Sequence, residues 1–399
     1  MMLAGGRLAV NQRAADSGPV GESGRITSLD LIRGVAVLGI LLMNAVAFKF
    51  DWPGYLNLSA AGSESALDWA VGIVGEIFVD QKFMGLFSLL FGAGMILFVD
   101  RATSRGRRAL VLYLWRNALL LAIGLLHFAL WEGDILMVYA VCSVFLIVAR
   151  KLRNWILVAA GVSAFALSVP LALLAQVYAD SSGMSLAGIW TPGSSSENED
   201  LAGLALLAYF PRALGMMLLG AGIYRAGFLS GEWPVGRYRA AAALGLTIGL
   251  GLATLGVVVT AANDYGPGVA FVGQVPNTVG TIPASLGYLS LIVLWNNRAD
   301  SRPKRLLRAV GRLALTNYLA QSVLGVLVLT YWLGDSDEVN RTAILVFVVA
   351  VWALQIWWSQ MWLNRFRYGP AEWLWRCATY RNLQSMRRNP QPAPDRGAA

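Results

Sequence analysis

Long apolar stretches recur along this chain, and they constrain its fold more than any other feature. About ten windows, each of roughly 17–25 residues, are apolar enough to cross a bilayer as helices. Only 14% of the residues are charged, whereas a soluble globular chain has roughly 25%. The sequence therefore predicts an all-α, polytopic transmembrane helix bundle of about ten spans. The windows are 29–48, 83–100, 109–131, 134–150, 154–178, 204–224, 239–262, 276–296, 311–332 and 341–363.

The loops between these windows alternate in charge. The positive-inside rule places the basic loops, together with both termini, in the cytoplasm. The same placement argues against nucleic-acid binding despite the net charge of +9, because the basic residues report topology and do not form one binding face. The basic loops contain residues 101–108, 150–153, 225–239 and 298–308, and the acidic loops contain residues 51–68, 132–134, 197–200 and 335–338.

The segment 66–81 is apolar but carries Asp68, Glu76 and Asp80. If it crossed the membrane, every later loop would lie on the wrong side. We therefore predict an additional interfacial or re-entrant helix on the outer face, leading into the next span.

The chain divides into one membrane domain and two tails. Residues 1–24 and 377–399 lack a continuous apolar run and predict disordered cytoplasmic tails, and residues 25–376 form the transmembrane domain. With a single histidine and no cluster of metal-ligand residues, the sequence predicts no metal site. The bilayer is an expected partner, and a homo-oligomer is compatible with the sequence.

The first span, SLDLIRGVAVLGILLMN, carries polar residues inside an apolar helix. Helical spacing places Asp30, Arg33 and Asn44 within about 60° of one another, so they form one polar stripe. Charges at such a position are costly and favour a function in substrate binding. The alternative is that Asp30 and Arg33 form a salt bridge that only anchors the helix at the interface.

The single histidine, His127, lies near the outer end of a predicted span and is followed closely by Glu132 and Asp134. An imidazole with a carboxylate that orients it is a plausible general base. The alternative is a buried histidine bonded to a backbone carbonyl, with both acids merely solvated.

Further polar residues lie at membrane depth. Arg116 is eleven residues before His127, on the same helix face and about 16 Å nearer the cytoplasm. An arginine within a span must be paired or face a water-filled cavity, and its guanidinium suits a phosphate. We therefore expect Arg116 to bind a phosphorylated donor. Asn317, Gln321 and Arg212 are further candidates for substrate binding, or they hold helices together.

Five ordered motifs resemble the bacterial YeiB-like family, from about Arg25 to Arg376. The resemblance extends more weakly, through the Asp-x-x-Arg-Gly opening of the first span, to transmembrane acyltransferases such as heparan-alpha-glucosaminide N-acetyltransferase and the acyltransferase-3 group. It implies a bacterial inner-membrane protein of the cell envelope. The motifs are SLDLIRGVAVLGILLMN, FMGLFSLLFGAG, LLHFALWEGDILMVYA, GRLALTNYLAQS and FRYGPAEWLWR.

One departure from the acyltransferase pattern affects the expected chemistry. The acyltransferase-3 pattern has a histidine fourteen residues after the aspartate, where this chain has Asn44. An amide is not a general base at neutral pH. If the resemblance holds, His127, supported by Asp134 or Glu132, would be the base, and Asn44 or an arginine would be the oxyanion donor.

The leading hypothesis is an integral membrane acyltransferase without a resident cofactor. An acyl-CoA co-substrate would enter from the cytoplasmic side at Arg33 and Arg116, and a hydroxyl or amine of an envelope glycan, lipid or metabolite would accept the acyl group near the outer face. The alternative is a transporter or exporter of a small anionic metabolite. A third possibility is a binding or assembly protein without turnover.

Overall fold

The computed structural model describes residues 26–183, 185–193, 199–334, 336 and 338–388. Within them the structure is helical, and β-pairing is limited to two isolated bridges. The first eight helices are α1 Thr27–Lys49, α2 Trp52–Leu56, α3 Ala66–Phe78, α4 Lys82–Ser104, α5 Ala109–Phe128, α6 Leu136–Ala149, α7 Asn154–Ala166 and α8 Ser168–Ser182. The others are α9 Glu199–Arg225, α10 Val235–Ala262, α11 Val275–Asn296, α12 Arg302–Arg312, α13 Ala314–Gly325, α14 Arg341–Arg365 and α15 Pro370–Tyr380. A 3-10 turn at Pro267–Val269 precedes α11, and a π-helical segment, Val326–Trp332, continues α13.

The apolar stretches fold into helices of membrane-spanning length, as the sequence predicts. In the part of the chain that the structure describes, nine helical stretches are long and apolar enough to cross a bilayer, and α6 is a shorter apolar helix. Three of the nine join consecutive helical elements: α3 with α4, α7 with α8, and α13 with the π-helical segment. The predicted all-α, polytopic bundle is therefore confirmed, and the chain is a multi-pass membrane protein.

The additional helix predicted before the second span is present as α3. Its first turn is closed by a capping box: the Ser65 hydroxyl accepts a hydrogen bond from the Asp68 amide, and the Asp68 carboxylate accepts one from the Ser65 amide. The helix ends at Phe78, and α4 begins at Lys82 after a break at which Gln81 has φ of 63°. Whether α3 lies in the membrane interface stays a prediction.

A close crossing of α1 and α12 positions the charged entrance of the first span. A Cβ atom at Gly34 would lie 2.0 Å from the Leu307 carbonyl oxygen, and one at Gly311 would lie 1.9 Å from the Asp30 carbonyl oxygen. Only glycine permits the two backbones to approach this closely. The crossing brings Asp30 and Arg33 against α12.

The predicted C-terminal tail begins too early. The chain remains helical to Tyr380, where Cys377 and Thr379 are buried. Residues 381–388 then return to the end of α14, where the Arg367 amide donates to the Met386 carbonyl at 2.8 Å. The boundary at 377 is therefore wrong, because α15 packs against the bundle. The predicted tail residues 1–24 and 389–399 lie outside the described residues.

Candidate functional site

A cavity of about 380 Å³ extends from the basic loops into the helix bundle. Its outer part is strongly cationic: seven arginines line it, compared with two acids, Asp30 and Glu372. We call this space the arginine cavity. Its positive potential favours an anionic ligand. The seven are Arg33, Arg101, Arg105, Arg107, Arg116, Arg312 and Arg376.

The charged entrance of α1 lies at the arginine cavity. Arg33 Nη1 donates to Asp30 Oδ1 at 3.2 Å, and both residues line the cavity wall. Arg33 retains 33% side-chain exposure. The ion pair that the sequence suggested is therefore present, and Arg33 remains accessible to a ligand.

Arg116 presents its guanidinium to the same cavity. The guanidinium lies 3.5 Å from the ring centroid of Trp375 and 5.0 Å from that of Phe98, and Trp375 Nε1 donates to the Arg116 carbonyl at 3.0 Å. Among the described residues, the guanidinium has no hydrogen-bond or ion-pair partner. The aromatic rings fix its plane and leave its N–H fork for an anion, which is a geometry suited to a phosphate.

The inner part of the arginine cavity is apolar. Phe87 and Phe91 of α4, Leu120 of α5, Leu136 of α6 and Tyr318 of α13 line it. One cavity thus offers cationic groups at one end and hydrocarbon and aromatic surface at the other. This gradient is complementary to a ligand with a phosphorylated head and a less polar reactive end.

Behind the inner end lies a buried histidine–aspartate dyad. His127 Nδ1 is 2.7 Å from Asp134 Oδ1, and Asp134 Oδ2 accepts from the Met137 amide at 2.8 Å. The two side chains are only 3% and 0% exposed. Gly124 permits this approach of α5 to α6, because a Cβ atom there would lie 2.7 Å from the Met137 nitrogen.

The dyad leaves one nitrogen free. An ionised Asp134 can only accept, so His127 Nδ1 carries the proton in this hydrogen bond. His127 Nε2 is buried, and it has no hydrogen-bond partner among the described residues. Buried polar atoms are rarely unpaired. A lone pair held in this way is the arrangement of a general base whose orientation an aspartate fixes.

Tyr318 separates the dyad from the arginine cavity. Its ring centroid is 5.1 Å from that of His127, and its hydroxyl donates to Asp134 Oδ1 at 3.5 Å. Tyr318 lines the cavity, whereas His127 does not. The phenol ring therefore lies between the dyad and the cavity.

The structure separates the other predicted residues from this site. Glu132 is exposed, whereas Asp134 contacts His127, so Asp134 is the acid that can orient the histidine. Asn44 is half-buried and does not line the cavity, so the predicted polar stripe reaches the cavity only through Asp30 and Arg33. Arg212 belongs to a different cluster, in which Nη1 donates to Gln81 Oε1 at 3.4 Å.

Asn317 and Gln321 bind helices together instead of lining the cavity. Asn317 Nδ2 donates to Ser359 Oγ at 3.1 Å, and Asn317 Oδ1 accepts from Trp358 Nε1 at 2.6 Å. Gln321 Nε2 donates to the Val37 carbonyl at 3.0 Å and to Gln355 Oε1 at 2.9 Å. These contacts join α13 to α14 and α1, so the structure favours the packing alternative for Asn317. Gln321 makes the same kind of contacts through Nε2, but its Oε1 is buried without a partner among the described residues.

The C-terminal helix α15 supplies a part of the site that the sequence analysis missed. Glu372 accepts hydrogen bonds at the first turn of α13, from the Leu315 amide at 2.7 Å and the Thr316 hydroxyl at 2.5 Å. Burial raises the pKa of the Glu372 carboxyl, and these hydrogen bonds oppose that rise. The attachment holds Trp375 over Arg116. Its sequence signal was the motif FRYGPAEWLWR, one of the five that carry the family resemblance.

The described residues contain no group of three or more histidine, cysteine, aspartate or glutamate side chains that could hold a metal ion.

The fold and site thus define a multi-pass helical membrane protein in which a cationic cavity leads to a buried dyad. The chain belongs to the YeiB-like, DUF418 family. The family model described as "Protein of unknown function (DUF418)" matches residues 223–382. The chain is 34% identical to "Uncharacterized protein YeiB" of Escherichia coli (strain K12) over 395 residues, which cover 90% of this chain and 97% of that protein. It is 30% identical to "Uncharacterized protein YxaH" of Bacillus subtilis (strain 168) over 404 residues, covering 91% and 96%.

Proposed function

We propose that this protein is an acyltransferase that moves an acyl group from an acyl-CoA-like donor to a hydroxyl or amine. The observation that carries the proposal is the His127–Asp134 dyad, because its unpaired Nε2 lies just behind the inner wall of the arginine cavity. A phosphorylated thioester matches the gradient of the cavity, with its phosphates at the arginines and its acyl end at Phe87, Phe91 and Leu136.

The reaction follows from the dyad. His127 Nε2 takes the proton of the acceptor hydroxyl or amine while Asp134 stabilises the imidazolium through Nδ1. The acceptor oxygen or nitrogen attacks the thioester carbonyl, the carbon–sulfur bond breaks, and the thiolate receives the proton from His127. Rotation of Tyr318 brings the thioester to the dyad. Asn44 does not line the cavity, so its role as oxyanion donor stays a prediction that the proposed mechanism does not use.

We also propose that the basic face is cytoplasmic in a bacterial inner membrane, with both termini on that side. The clustering of basic loops supports this orientation through the positive-inside rule. The acyl donor is then taken from the cytoplasm, and His127, at the far end of α5, meets an acceptor that arrives from the outer side. Accessibility of single introduced cysteines to a membrane-impermeant thiol reagent tests the orientation.

The test of function compares donor binding with donor consumption in purified protein. Wild type and His127→Ala are both expected to bind acyl-CoA, and CoA release is expected from the wild type alone. Wild type that binds no acyl-CoA and releases no CoA contradicts the proposal and favours the transporter alternative. Binding and CoA release that are equal in both proteins would instead remove His127 from the reaction.

A further inference from the structure

A second buried polar cluster lies at the break between α3 and α4, apart from the arginine cavity. One apolar stretch, Ala66–Ser104, is interrupted there, and Gln81 has φ of 63°, in the left-handed region that non-glycine residues rarely adopt. Non-glycine residues in this region are strained, and such strain clusters at functional sites. The break is therefore a candidate for a role beyond connecting α3 to α4.

Arg212 points into this break from α9. It follows Pro211 within the helix and is only 8% exposed. Its one hydrogen bond among the described residues is the 3.4 Å contact from Nη1 to Gln81 Oε1, and its Nε is buried without a partner. No described carboxylate lies within 4.0 Å of the guanidinium. A buried arginine with so little compensation is costly and marks a functional position.

A second buried cation, Lys82, lies beside it. Lys82 is 0% exposed, and its ammonium donates to the Glu76 carbonyl at 2.7 Å and to Asn277 Oδ1. Asn277 Nδ2 in turn donates to Asp80 Oδ2 at 3.0 Å. Neutral oxygens therefore satisfy Lys82, whereas Arg212 retains unused donors. Of the two cations at the break, Arg212 is the one with unused hydrogen-bond donors: besides its contact with Gln81, the described residues offer its guanidinium only the Tyr209 ring, whose centroid is 5.5 Å away.

We propose that Arg212 anchors a carboxylate of a small solute that enters from the acidic face. A guanidinium fork matches a carboxylate in two parallel hydrogen bonds, and Gln81 can give up its long contact because Thr278 also donates to Gln81 Oε1, at 3.2 Å. Asp80, the acid that interacts electrostatically with both Arg212 and Lys82, opposes a doubly charged phosphate more strongly than a singly charged carboxylate. This repulsion favours a monocarboxylate.

The carboxylate site is distinct from the arginine cavity, which Gln81, Lys82 and Arg212 do not line. The two nevertheless share α4: Lys82 precedes the cavity residue Phe87 by five residues, about 7.5 Å along the helix. Under the proposed function the carboxylate would belong to the acceptor. Carboxylate binding at Arg212 does not itself require acyl transfer.

Thermal unfolding of the full chain in nanodiscs tests the site, with sodium acetate as the probe and sodium chloride at equal ionic strength as the reference. We expect a saturable rise in Tm with acetate in wild type and in Arg116→Gln. Arg212→Gln should abolish the rise, and Arg212→Lys, which keeps the charge but loses the fork, should weaken it at least about tenfold. No saturable effect in wild type, or an effect that persists in Arg212→Gln, would overturn the proposal. Phosphate that stabilises the wild type as strongly as acetate does would also overturn the proposal.

A second variant keeps the test decisive if Arg212→Gln does not fold. Gln81→Glu places a carboxylate of the chain itself beside Arg212, so it should raise Tm without acetate and make acetate ineffective. Loss of stability, or an undiminished acetate effect, in Gln81→Glu contradicts the site.

The His127→Ala protein separates the two proposals. If its CoA release is lost while its acetate response is retained, acyl transfer and carboxylate binding are independent and both stand. An acetate response in wild type that consumes no acyl-CoA refutes the proposed function alone.

Discussion

Asn317 and Tyr318 are consecutive residues of α13, yet they lie in two kinds of buried polar environment. The side-chain amide of Asn317 is satisfied by the Ser359 hydroxyl, the Val310 carbonyl and the Trp358 indole. Tyr318 faces a dyad whose His127 Nε2 has no partner in the described part of the chain. A fully paired buried network stabilises packing, whereas an unpaired atom beside a cavity is available for chemistry. Two adjacent residues of α13 therefore have different surroundings: Asn317 joins helices, and Tyr318 borders the site that we propose is reactive.

The largest effect should come from disrupting the dyad. Asp134→Asn should lower CoA release by about 10²–10⁴-fold, because an amide does not hold the histidine tautomer or stabilise the imidazolium. Steady-state assays of CoA release measure this loss. Glu132→Gln is the matched control, since Glu132 is exposed and should leave the rate unchanged. Equal losses in both variants would show that the dyad has no specific role in CoA release.

The unpaired guanidinium of Arg116 should control donor affinity. Arg116→Gln should raise the Kd for acyl-CoA by about 10–100-fold, because charge-assisted hydrogen bonds contribute about 1.5–3 kcal/mol. Titration calorimetry or a fluorescent donor gives the Kd. Arg239→Gln removes an exposed arginine that does not line the cavity, so its Kd should match the wild type. An unchanged Kd in Arg116→Gln would place the donor elsewhere.

The paired network predicts a change in stability without a change in chemistry. Asn317→Ala leaves the Trp358 indole and the Ser359 hydroxyl without their partner, so it should lower the free energy of unfolding by about 1–3 kcal/mol. Thermal unfolding in detergent measures this effect. CoA release per folded molecule should stay near the wild-type value, and a loss as large as that of Asp134→Asn would mean that Asn317 takes part in the reaction.

The smallest effect should come from the Tyr318 hydroxyl. Its contact with Asp134 is 3.5 Å long, so Tyr318→Phe should change CoA release by less than about fivefold and keep the ring in the wall. The same steady-state assay applies. A loss of about a hundredfold would instead make the hydroxyl part of the reaction.

The sequence predicted the features that depend on residues close to one another in the chain. Apolar windows revealed the helices, and the seven residues from His127 to Asp134 made their contact foreseeable because the connection between α5 and α6 is short. Helical spacing also placed Asp30 and Arg33 together. The same spacing grouped them with Asn44, which does not reach the cavity because the face that a helix presents is set by its neighbours.

The sequence did not reveal contacts between residues that are far apart in the chain. Trp375 covers Arg116 across 259 residues, and Tyr318 reaches Asp134 across 184 residues. No local pattern encodes such pairs, since they depend on how the helices pack. Membership of one helix also did not reveal that Asn317 and Tyr318 face different surroundings. The left-handed Gln81 was equally hidden, because glycine is the usual residue at such a position.

In the proposed mechanism, Asp134 holds the proton on His127 Nδ1 and leaves Nε2 as a base. His127 is the sole histidine of the sequence, so protein purified with a histidine-free tag and labelled with ring-15N histidine gives NMR signals from one imidazole only. We predict a neutral imidazole protonated at Nδ1 and a change of this tautomer balance in Asp134→Asn. A wild-type imidazole protonated at Nε2, or one that Asp134→Asn leaves unchanged, would contradict it.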